Sequence, residues 1–168
     1  MDIAQLRDAY RTLLDAATAV ADSPAPLDPP PGEWNADQIL SHVSLVTATT
    51  LATVSAVTAG ANTTYDNRIA QDTWTIERVI RLTGGGSGLR DRIHVQADAL
   101  CTLAGATLSK PELDTQVPTL LLSHDTALVD QPVRLMDLIS GLTEGELPGH
   151  TRQLLALLPT DTQDEPAL

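Results

Sequence analysis

The chain has 168 residues, of which 42% are hydrophobic and 19% charged, a length and composition that fit one folded domain with a sizeable core and exclude a disordered chain. Ten basic residues face 22 acidic ones, for a formal charge of -12. That balance lacks the positive footprint that nucleic acid or an anionic membrane surface requires, so neither is an expected partner.

Residues 2–22 carry Ile3, Leu6, Tyr10, Leu13, Ala17 and Val20 at the three-four spacing of one helical face. Prolines at 24, 26 and 29–31 make the next connection stiff and non-helical. Trp34 follows, and Asn35 with Gln38 forms a capping-box pattern for a second helix over about 36–59. A third helix is expected over roughly 66–82, after a loop or helix start at 62–66. The run Thr83-Gly84-Gly85-Gly86-Ser87-Gly88 then breaks the pattern, as a hinge or a plain loop, and a helix resumes over about 89–104. Alternation at Val117, Thr119 and Leu121, a turn at 123–126, and Leu128 with Val129 predict a small β-hairpin within 116–131. Helical pattern returns at 132–158, with a break expected near Gly145 that leaves pieces at about 133–144 and 146–158. The expected fold is all-α: a four-helix bundle over 1–158, with the hairpin before the last helical segment and a flexible acidic tail at 159–168.

The chain has four aromatic residues, Tyr10, Trp34, Tyr65 and Trp74, and no phenylalanine, so its core is aliphatic and stacking platforms for nucleic acid are excluded. A single cysteine, Cys101, permits neither an internal disulfide nor a CxxC site, and its apolar surroundings predict an inert thiol. No leader signature follows Met1, and no apolar run approaches the ~18 residues of a membrane span, so a cytoplasmic location is expected.

Three constellations carry candidate chemistry. Glu146 and His150 are four residues apart, which on a helix places them on one face, as a surface pair or as two ligands to one ion. Pro148 between them is compatible with a helix that starts near Glu146. His42 lies among Ile39, Val43, Leu45 and Val46, as a hydrogen-bonded histidine at the core's edge or as a ligand. Tyr65-Asp66-Asn67-Arg68 is a helix N-terminus with its cap, or a polar cluster that faces a cavity. His94 and His124 lack partners in the pattern. No GxSxG, P-loop or GxGxxG motif occurs, and the glycine run lacks the lysine of a phosphate loop.

Two stretches resemble a known superfamily. Gly32-Glu33-Trp34-Asn35-Ala36-Asp37-Gln38-Ile39-Leu40-Ser41-His42-Val43 resembles the second-helix signature of the DinB-like superfamily, in which a tryptophan precedes a helix with one histidine. Leu147-Pro148-Gly149-His150-Thr151-Arg152-Gln153-Leu154 resembles its last helix, where two further ligands lie four residues apart. Glu146 stands where many members have histidine, and in this the chain resembles the mycothiol-dependent maleylpyruvate isomerase branch.

The resemblance implies a four-helix bundle, a homodimer, and a divalent metal (zinc or nickel) held by His42, Glu146 and His150. It also implies Asp66 and Asn67 behind the ligands or on the substrate, and Arg68 paired with a substrate carboxylate or with a glutamate on its own helix. The implied activity on a small-molecule substrate is thiol-dependent transfer or isomerisation, with mycothiol as one such thiol, or metal-assisted hydrolysis. The alternative is a non-catalytic ligand-binding or dimeric scaffold module that has lost its metal.

Overall fold

A computed structural model describes residues 3–106, 108–123 and 126–159. The fold is mainly helical, with one three-stranded sheet. Helix α1 (Ala4–Asp22) buries Leu6, Tyr10, Leu13, Ala17 and Val20, the stripe expected from spacing. Helix α2 (Ala36–Thr58) opens at the expected capping box. The Asn35 side chain accepts from the Gln38 amide and the Gln38 side chain accepts from the Asn35 amide, both at 3.0 Å.

Helix α2 is the central element. It packs on α5 (Gly86–Ala106), while α1 packs on α5 and on α8 (Leu147–Leu155). By length and composition α2 could cross a membrane, alone among the described residues, but 61% of its apolar window is buried inside the fold. The expectation that no such run exists is therefore corrected. Small Ser and Thr residues between the aliphatic ones hid it, because their hydroxyls turn back on the helix: Thr47 bonds the Val43 carbonyl at 2.7 Å and Thr50 that of Val46 at 2.9 Å. The same two hydroxyls meet the buried tyrosines, Thr47 with Tyr10 at 2.9 Å and Thr50 with Tyr65 at 3.3 Å. Buried Tyr hydroxyls need such partners.

The helix expected over 66–82 is divided. Strand β1 (Tyr65–Asp66) leads into α3 (Arg68–Gln71) and then α4 (Thr73–Thr83). Asp72 causes the division: its backbone is extended, and its carboxylate accepts from the Thr75 amide at 2.8 Å as the cap of α4. The glycine run is a tight corner, with Gly84 in the left-handed region closing α4 and α5 starting at Gly86 rather than 89. A side chain at Gly88 would lie 2.0 Å from the Thr83 carbonyl oxygen, so the close approach demands glycine there. A short helix α6 (Lys110–Leu113), opened by a Ser109–Glu112 capping box, has no counterpart in the expected elements.

The hairpin is present as β2 (Gln116–Ser123) and β3 (Thr126–Arg134), antiparallel, with a register shift between Leu121 and Leu122. Strand β1 adds to β2 in parallel, Tyr65 opposite Thr119 and Asp66 opposite Leu120. A two-residue strand has no periodicity to read, which is why 62–66 looked like a loop. Asn67 fastens this junction. Its amide nitrogen donates to the Leu122 carbonyl at 2.9 Å and its oxygen accepts from the Leu122 amide at 2.8 Å.

The last helical segment does not break near Gly145. Helix α7 (Leu135–Gly141) passes through a π turn (Leu142–Glu146) straight into α8. The reason is visible in the burial pattern. Leu135, Ile139 and Leu142 form one apolar stripe and Leu147, Thr151 and Leu154 another, joined by a five-residue step. An α-helix with 3.6 residues per turn cannot keep that step on one face, whereas one i to i+5 turn can. The Leu147 amide bonds the Leu142 carbonyl in that turn.

Asn67 is 7% exposed, and both its bonds go to one residue's backbone. Replacement by Ala removes the side-chain partner of the Leu122 amide, at about 1–3 kcal/mol, while the Leu122 carbonyl keeps the Gln71 amide at 3.3 Å. Asn67→Ala is therefore expected to lower the unfolding free energy by roughly 1–3 kcal/mol in urea titration, and an unchanged midpoint would refute the clip.

Candidate metal centre

The sequence places His42 in the second turn of α2 and Glu146 and His150 on either side of the α8 start, and the fold brings all three together. One ligand atom from each lies within 4.8 Å of the other two. The His42 Nε2 is 2.7 Å from Glu146 Oε1, and His150 Nε2 is 3.2 Å from the same oxygen.

Each imidazole is oriented through its other nitrogen. His42 Nδ1 lies 2.7 Å from the Ala70 carbonyl oxygen, which can only accept, so Nδ1 carries a hydrogen and donates it. In a neutral ring Nε2 then presents a lone pair toward a carboxylate oxygen. Two acceptors at 2.7 Å repel, so a second proton on the ring, or a cation in its place, must occupy the gap. His150 Nδ1 lies 2.6 Å from Gln153 Oε1 and is set in the same sense. Metal-binding histidines are held by an outer carbonyl or carboxylate in this manner.

The charges agree with that picture. Burial pushes the Glu146 carboxyl up, but the hydrogen bonds from His150 and His42 and their charge outweigh it, and the group stays well below the usual carboxylate range. A tetrahedral zinc with ~2.0–2.1 Å bonds keeps its donors about 3.3 Å apart. The His150–Glu146 separation of 3.2 Å is close to that, the His42–Glu146 separation of 2.7 Å is the length of a hydrogen bond, and all three donor atoms lie within 4.8 Å of one another. These three residues could hold a metal ion.

Trp34 forms the wall above them. Its ring centroid is 4.8 Å from that of His42 and 6.3 Å from that of His150, nearly parallel to the latter at 20°. The stiff proline run before it and the Asn35 cap after it fix its position. The site opens into a cleft of about 650 Å³, whose other walls include Gln71, Leu122, Leu128 and Arg152. That is within the ordinary size of small-molecule sites.

The Asp66–Asn67–Arg68 run is divided between two places. Asp66 and Arg68 pair with each other at 2.8 Å and border a separate depression with Asp72 and Thr75. Asn67 lines the cleft, with its amide committed to Leu122. The group that braces His42 is the carbonyl of Ala70, two residues past Arg68, and a backbone oxygen leaves no mark in a sequence. Gln153 and Arg152 were also missed, although both lie within one turn of His150. Cys101 is 1% exposed in the core and burial pushes its thiol up, in keeping with an inert role. His94 is exposed, 3.7 Å from Asp98. His124 lies outside the described residues.

His42→Ala would strand the Ala70 carbonyl and leave Glu146 with one imidazole. In metal-free protein the expected loss is about 2–4 kcal/mol by urea unfolding, with a smaller loss for His150→Ala at the cleft's edge. Equal, negligible losses would mean that these bonds do not form in solution.

The chain matches no family model, no curated protein and no solved structure.

Proposed function

We propose that this chain is a divalent-metal protein of the DinB-like type. Its four-helix frame would consist of α1, α2, α5 and the continuous α7–α8 rod, and His42, Glu146 and His150 would be the ligands. One arrangement supports the reading above all: two imidazoles, each fixed through Nδ1, aim Nε2 at one ionised carboxylate oxygen. Two neutral imidazoles and a carboxylate suit zinc or nickel. A divalent cation held there supplies Lewis acidity and lowers the pKa of a thiol or water that reaches its open side.

The activity that follows is chemistry on a small molecule in the cleft, by thiol-dependent transfer or isomerisation, or by hydrolysis. The chain's own residues define what it accepts. Glu146 cancels one of the two positive charges and limits the attraction of anions. Trp34 covers the imidazoles and keeps water from one side. Arg152 lines the cleft and offers a guanidinium to an anionic group on the substrate, the part assigned to Arg68 from sequence. The homodimer belongs to the same proposal, and sedimentation velocity tests it.

A second reading has its own support. If both rings carry a second proton, Glu146 and the two imidazoles close into a satisfied hydrogen-bonded set without any ion. The chain is then a non-catalytic binding or scaffold module.

Metal analysis separates the two. The first reading expects about one zinc or nickel per chain after loading, lost in His42→Ala and His150→Ala and kept in His94→Ala and His124→Ala. Protein that stays metal-free at saturating zinc overturns it in favour of the second. Gln153→Ala removes the brace on His150 and is expected to weaken zinc binding ~10–100-fold in competition with a chromogenic chelator. In a Trp74→Phe background, cobalt is expected to quench the remaining Trp34 emission, and unchanged emission on saturation would place the ion elsewhere. Assays with mycothiol and glutathione then distinguish thiol-dependent transfer from hydrolysis.

A further inference from the structure

Glu146 stands between two spaces. On one side is the cleft with the imidazoles. On the other, beneath the hairpin, is a second cavity of about 240 Å³, and Asn67, Leu121 and Glu146 line both. Val46, Tyr65, Val129, Val133, Leu138 and Leu142 form most of the inner wall.

The polar groups of that wall are already engaged. The Tyr65 hydroxyl meets Thr50, both ends of the Asn67 amide are on Leu122, and Asp137 pairs with Arg134 through two bonds at 2.8 and 2.9 Å. Among the described residues no buried side-chain polar atom lacks a partner. Nothing in the wall therefore calls for a polar guest, and the carboxylate at the junction marks where a guest's apolar part ends and its polar part begins. An apolar cavity of ~150 Å³ is enough to hold benzene. The space here is larger, and one of the three donors, Glu146, lines it as well as the cleft.

We propose that the inner cavity is the specificity pocket of the site, taking an unbranched alkyl or small aryl arm of about six carbons from a substrate whose polar head lies at His42, Glu146 and His150. The ligand class is thus a small amphiphile, with Arg152 placed for an anionic substituent on the head. This rests on the metal reading for the head group and on the cavity alone for the arm.

The test uses straight-chain hydroxamic acids, from acetyl to octanoyl, titrated by calorimetry into the zinc-loaded full chain. The hydroxamate binds the ion and the chain probes the pocket. Each added methylene is expected to tighten binding about fourfold until the cavity is full near six carbons, after which the gain stops. Val133→Phe puts a ring into the space at a strand position that tolerates aromatics; it is expected to flatten the series while zinc uptake stays normal. Leu138→Ala enlarges the space and is expected to move the plateau to longer chains. A parallel series of n-alkanols in metal-free protein, followed by methyl chemical shifts of Val46, Val129 and Leu142, reports on the pocket independently of zinc. Alkanol shifts without zinc uptake would sink the metal reading and keep the pocket. Affinity independent of chain length, with no alkanol shifts at those methyls, would overturn the pocket even if zinc binds.

Discussion

A carboxylate oxygen faced by two ring nitrogens is stable only if something positive lies between them. The Ala70 carbonyl makes that requirement strict for His42, because it claims the hydrogen on Nδ1 and leaves Nε2 to meet Glu146. The ring is 2% exposed, so water is a poor substitute. The architecture around it reads as the support of this one contact. Short α3 sets the carbonyl, α2 carries the ring into the interior, and Trp34 closes the outer side.

The position of Glu146 depends on the π turn. Counting four residues on from buried Leu142 puts residue 146 on the core-facing stripe of an ordinary helix, where an ionised group would be buried beside Leu and Ile. The extra residue in the turn returns the stripe to Leu147 and leaves Glu146 half-buried at the boundary between core and cleft. Pro148 fits this geometry, since it has no amide to contribute to the hydrogen-bond ladder just where the ladder changes step. Wide turns of this kind often occur at functional sites.

Much of this was readable from residue spacing, and the exceptions have physical causes. Helices α1 and α2 and the hairpin follow from long periodic runs and a capping box, which depend on local sequence. The meeting of His42, Glu146 and His150 was expected only through family resemblance, because no local pattern reports a contact 104 residues apart. The split at Asp72, the two-residue strand and the Ala70 brace depend on tertiary hydrogen bonds and backbone oxygens, which have no residue-type signature. The π turn did have one. The five-residue step from Leu142 to Leu147, with Gly145 and Pro148 around it, is as legible as a capping box once a wide turn is entertained as an alternative to a break.

The Asn67 clip ties the hairpin to the chain just three residues before Ala70. The outer wall of the cleft and the oxygen that selects the His42 tautomer are thus joined by a few stiff bonds. Any guest that levers the hairpin outward must either tear that fastening or drag the short helix with it, and dragging it would free the imidazole to exchange its tautomer. Mechanical work on the wall and proton placement in the interior are geared together by the side-chain amides of Asn67 and Gln71 and the short β1–β2 pairing beside them.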